Sequence, residues 1–148
     1  MNFKRFPCAV GFIVTILVAA SCFAEEKDYF IPTRNEELYG IWINETYTGL
    51  SDQKWVLSDW GYCEAFNKAT DTIPKTRWTN SIVDKWTDAE GNIWYKVFEQ
   101  AYYGGSYYAV YKIGNDNKVL ECTWKRTWFP SEDDLNLRQG GYRIYYRQ

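Results

Sequence analysis

The residues best placed to do chemistry in this chain are aromatic rings rather than acid–base pairs. Its 148 residues include eight Trp and thirteen Tyr but no His, so the commonest general base and metal ligand is missing. Trp55, Trp78, Trp86, Trp124 and Trp128 recur along the sequence, and Arg126 stands between the last two. A guanidinium between two indoles could grip a carboxylate or a sugar face through charge-assisted hydrogen bonds and cation–π contact. Equally, a twist of its strand would put Arg126 in water. Cys63 and Cys122 are too few and too far apart for a zinc site, and no Gly-rich loop follows a strand and opens a helix to cradle phosphate. Asp84 is the one acid expected to point inward, and it reads more readily as a carboxylate hydrogen-bonded near a strand end than as a catalytic group. No catalytic set, metal or cofactor is expected, and the chain reads as non-enzymatic.

Residues 1–24 have the form of an export signal. Lys4 and Arg5 precede an uncharged apolar run, and Glu25 and Glu26 follow it. The run of about 12 residues is too short to cross a hydrocarbon layer of ~30 Å as a helix. Two cleavage sites compete. Cys22-Phe23-Ala24 suits a conventional cut before Glu25, whereas Ala19-Ala20-Ser21-Cys22 resembles a bacterial lipoprotein box in which Cys22 carries the lipid. Only that anchor would bring the chain to a membrane, so it is expected in the periplasm, on the envelope or outside the cell. Loss of Lys4 and Arg5 leaves fifteen basic against nineteen acidic residues, a net charge of −4. That balance argues against a nucleic-acid partner. In an oxidising compartment Cys63 and Cys122 would either form a disulfide or remain two separate buried thiols.

The elements that must position the rings are strands. Residues 25–36 lack periodicity and read as a tether; 37–148 form one domain. Strand-like runs cover approximately 38–47, 53–59, 61–67, 75–87, 92–103, 106–113, 118–129 and 141–147, separated by reversals such as Asp59-Trp60-Gly61 and Gly104-Gly105. One short helical turn is expected over 131–136, where Ser131 precedes three acids. Alternation assigns inward faces to Trp78, Ile82 and Trp86; to Leu120, Cys122, Trp124 and Trp128; and to Tyr142, Ile144 and Tyr146. Asn44, Asn80, Asp84 and Arg126 share inward parity. The runs 92–103 and 106–113 are aromatic on both faces, so their registers stay open. The fold expected is all-β, a single eight-stranded antiparallel up-and-down barrel, since closure removes sticky edges.

Gly40-Ile41-Trp42 opens the first of these strands, and Gly-x-Trp in that place resembles the lipocalin and wider calycin group. The resemblance implies that Trp42 closes one end of the barrel and that an Arg of the last strand packs across it. Arg143 is the first choice for that partner and Arg147 the second. The family's Thr-Asp-Tyr motif is absent, with Gly114-Asn115-Asp116-Asn117 in its place, and no helix follows the last strand. A lipocalin-like domain is therefore expected, not a typical lipocalin.

Two functions fit these features. In the first, an exported barrel binds a small apolar or amphiphilic molecule in a lumen lined by Trp55, Trp78, Trp86, Trp124, Arg126 and Trp128. In the second, a solid barrel serves as a protein-interaction module, an envelope-associated inhibitor or adhesin, through its loops and the Tyr102–Tyr108 hairpin. Glycan binding on exposed rings is a third reading, without a specific motif.

Overall fold

The computed structural model describes residues 31–44 and 52–148. The segment read as an export signal, the candidate lipidation site Cys22 and part of the expected tether lie outside the described residues. Eight antiparallel strands close into an up-and-down barrel in chain order. They are β1 (Gly40–Ile43), β2 (Lys54–Leu57), β3 (Tyr62–Phe66), β4 (Thr76–Thr87), β5 (Ile93–Ala101), β6 (Ser106–Ile113), β7 (Val119–Lys125) and β8 (Arg143–Arg147). A single turn of helix, α1 (Glu132–Asn136), lies between β7 and β8, and Ser131 and Asp134 close it with a reciprocal capping box. The chain order puts the β1–β2, β3–β4, β5–β6 and β7–β8 connections at one end. The start of β1 and the end of β8 meet at the other.

Closure makes face assignment strict, because each side chain looks either into the lumen or out. On β4 the alternation holds as far as Ile82 and then breaks. A register shift between Ile82 and Asp84 pairs Asp84 with Lys96 and Trp86 with Trp94. The extra residue turns Asp84 and Trp86 outward and brings Lys85 in, since a bulge inverts parity beyond it. Trp86 therefore stacks on Trp94 at 5.9 Å, in an outer cluster with Val110, Leu135 and Tyr142 beneath α1. Residues 31–36 run beside the bulge: Thr33 donates its amide to the Asn80 carbonyl, 2.9 Å, and its hydroxyl accepts the Ile82 amide, 2.9 Å.

Two further expectations are corrected, and the two cysteines take the second of their two expected states. β8 pairs Tyr145 with Leu120 and Arg143 with Cys122, so the odd residues Arg143, Tyr145 and Arg147 face inward instead of Tyr142, Ile144 and Tyr146. β7 ends at Lys125, so Arg126 and Trp128 leave the sheet for an exposed connection. Cys63 and Cys122 are free, buried thiols, not a disulfide. They sit on β3 and β7, four strands apart either way round the ring, and opposite walls cannot meet the short Cα separation a disulfide demands.

The end where the chain enters β1 and leaves β8 is solid. Trp42 is fully buried there and donates its indole N–H to the Leu38 carbonyl, 2.9 Å. Arg147, not Arg143, lies over its ring, 4.4 Å from the centroid. The Arg147 guanidinium also donates to the carbonyls of Tyr39 and Glu37 and to Asn117 Oδ1. Gly40 makes room for this arrangement: its φ is +138°, and a Cβ there would come within 3.3 Å of Arg147 Nη1. Arg143 instead faces Trp124 at the other end, 5.5 Å from its ring. Arg147→Ala should cost about 2 kcal/mol or more, because it leaves several acceptors and one indole face without a donor at once. In urea unfolding, Arg143→Ala should cost less than half as much; equal losses would contradict this assignment of the floor.

Candidate functional site

Above the floor the lumen is packed with rings. Trp55 stacks on Tyr145 at 4.3 Å, meets Trp78 edge-on at 5.2 Å, and lies 6.1 Å from Tyr111 and 6.3 Å from Trp124. Such offset and edge-on pairs are the favoured aromatic geometries. The packing loosens toward the mouth, where large side chains face Ala65, Ala101, Gly104, Gly105 and Thr76. There a cavity of ≈ 220 Å³ opens, walled by Trp55, Trp78, Trp124 and Tyr107, with Tyr103 at its lip. Two of the walls are fixed from behind. Asn80 Oδ1 accepts the Trp78 indole N–H, 2.8 Å, and Gly141 lies flat against Trp124, where a Cβ would approach within 2.5 Å of the indole.

Two carboxylates share this hydrophobic cup. Glu99 reaches it from β5 and Asp52 from just before β2. The Tyr111 hydroxyl donates to Glu99 Oε1. Burial pushes the Glu99 carboxyl up to about 7; the Tyr111 hydrogen bond opposes that rise and the negative Asp52 adds to it. Asp52 is also raised by burial, against the pull of Lys75 and Arg143. Burial likewise holds the Tyr111, Cys63 and Cys122 protons in place. Among the described residues no Lys or Arg lies within ion-pair distance of Glu99. The Trp55 indole N–H is buried with no acceptor among them either.

Of the lining residues expected from sequence, Trp55, Trp78 and Trp124 meet in this cup. Trp86 lies outside under α1, and Trp128 is 61% exposed. Arg126 is an exposed rim residue, 5.5 Å from the Tyr107 ring, rather than a cation between two indoles. Protein-family models, curated proteins and solved structures give no match to this chain. The architecture and the cup therefore carry the functional argument on their own. Glu99, Asp52 and Tyr111 had no assigned place in the sequence, and Tyr107 was placed only in the rim hairpin. The register of β5 against β6, which pairs Glu99 with Tyr107 and Tyr95 with Tyr111, was the missing datum. Gly104-Gly105 offered the signal, since a reversal there sets that register. Among the described residues no three His, Cys, Asp or Glu converge as metal ligands.

The Glu99 shift has a definite consequence for stability. Its folded value near 7 lies above the ordinary 4.5, so the folded state holds a proton that the unfolded state releases in that window. The contribution is complete below about pH 4.5 and is lost as pH rises to about 7, amounting to about 1–3 kcal/mol. Asp88 and Asp134, held down near 2 by their hydrogen bonds, act in the opposite sense and only at lower pH. Unfolding free energy should thus fall between about pH 5 and 7.5. Glu99→Gln should flatten that slope, and an unchanged slope in the variant would contradict the assignment.

Proposed function

We propose that this protein is a non-enzymatic, exported, lipocalin-like barrel that holds one small apolar or amphiphilic molecule in the mouth of its lumen. The observation that carries the reading is the cavity walled by Trp55, Trp78, Trp124 and Tyr107. Its volume of ≈ 220 Å³ is below the ~300–1,000 Å³ usual for drug-sized ligands, so it suits a compact molecule or one head group. The Gly40-Trp42-Arg147 floor supports the lipocalin-like reading, and the basic-then-apolar leader supports export. Arg126 belongs to the rim in this reading, and Trp124 is the wall residue to vary, being only half-buried.

A second reading rests on the hairpin beside the cup. Tyr102 and Tyr103 are 61% and 94% exposed, which suits a protein or glycan contact, as Tyr offers flat apolar area with a polar tip. The two readings separate in a tryptophan-fluorescence titration against a panel of short-chain amphiphiles and small aromatics. The cup predicts saturable quenching by at least one of them. Trp124→Ala should weaken that binding tenfold or more in a chain that still folds, with some loss of melting temperature because the indole packs on the core. No response, or an unchanged affinity in Trp124→Ala, would remove the cup and leave the Tyr102–Tyr103 hairpin as the working surface.

A further inference from the structure

The charge lining the cup selects among possible ligands. We propose that the cup takes an organic cation, the trimethylammonium or protonated-amine head of a small molecule, with Glu99 as its counter-charge and Trp55, Trp78, Trp124 and Tyr107 as its walls. This inference rests on the lumen-binding reading and narrows it.

Three observations support a cation. Among the described residues every charged one that lines the cavity is an acid, Glu99 or Asp52. An anionic head would be repelled by Asp52 and by Glu99 once ionised, and a purely apolar ligand would cover the Glu99 carboxylate without giving it a counter-charge, the costly outcome for an enclosed carboxylate. Second, four rings surround the space beside these acids. Ring faces attract cations, by ~0.5–1 kcal/mol when exposed and by about 2 or more when desolvated. Third, the cavity is the size of a head group rather than of an extended chain.

The groups around Glu99 leave that place open. From β6 the Tyr111 hydroxyl donates to it, while the buried thiols of Cys63 on β3 and Cys122 on β7 stay protonated. Lys75 and the β8 residue Arg143 exert their charge on Asp52. Arg143 lies 5.5 Å from the Trp124 ring, and Arg126 holds the same distance from Tyr107. Neither arginine is among the residues that line the cavity. A cation arriving beside Glu99 would favour its ionised form, so binding should release a proton near neutral pH.

The experiment compares choline with its carbon isostere, in which tert-butyl replaces trimethylammonium, by calorimetric titration of the wild type and Glu99→Gln. Choline should bind the wild type at least tenfold more tightly than the isostere. Its affinity should fall about tenfold per pH unit below neutrality, where Glu99 is protonated, while the isostere stays indifferent to pH. Glu99→Gln, checked for folding by near-UV circular dichroism, should bring the two ligands within about twofold of each other. Equal binding of both by the wild type would overturn the cation, and a choline preference that survives in Glu99→Gln would overturn Glu99 as its counter-charge; either result leaves the cup. Failure of both ligands would also overturn the cation. The amphiphile titration then decides separately whether the cup itself stands.

Discussion

Closure of the barrel is the constraint on which the rest depends. A closed ring of eight strands has one small interior, and each residue is committed to it or excluded by parity. The large inward rings, Trp42, Tyr95, Tyr111 and Tyr145, occupy the floor and middle and are wholly shielded from solvent. At the mouth the inward positions pass to Ala65, Ala101 and Thr76 beside Trp55, Trp78 and Trp124. Filled core and cup are thus two levels of one lumen, and the step from large to small side chains sets the boundary between them. The floor is held by backbone carbonyls gathered on Arg147, which locks the segment before β1 to the last strand.

Much of this was legible from residue types. Gly, Asn and Asp at the reversals marked the turns, and period-two alternation placed Trp78, Cys122 and Trp124 inside. What misled was local. The alternation of β4 runs unbroken through Trp86 in the sequence, and nothing in the string Ile82-Val83-Asp84 announces the bulge that reverses it. On and just before β8, Tyr142, Ile144 and Tyr146 outrank Arg143 and Arg147 in hydrophobicity. Yet the arginines face inward, because each finds an indole and carbonyl partners at an end of the barrel. Hydrophobic pattern assigns a face on average, and a guanidinium laid over an indole is a standing exception. Trp128 and Arg126 failed for a third reason: the strand ends before them, and a boundary is a matter of pairing rather than of composition.

The cup acquires its character from a conflict between packing and charge. Glu99 occupies an inward position that Val97 and Tyr95 on the same strand fill with apolar bulk. It is kept there by one hydrogen bond from Tyr111 and by a raised proton affinity. A carboxyl group held in an aromatic enclosure costs stability when ionised and gains a function if a ligand supplies the missing charge. The outer surface shows the contrasting case. Asp88 and Asp134 each accept several hydrogen bonds and remain ionised, serving the turn after β4 and the cap of α1. The same residue types are therefore ionised and fully hydrogen-bonded outside the barrel and held toward the neutral form inside it.

The central claim, that the barrel mouth is a binding cup, is tested most directly by native mass spectrometry of the protein purified gently from its own host. The account predicts a discrete adduct of one small molecule per chain, released on denaturation and absent from the Trp124→Ala variant. A bare polypeptide mass that stays bare after exposure to amphiphiles and organic cations would contradict it.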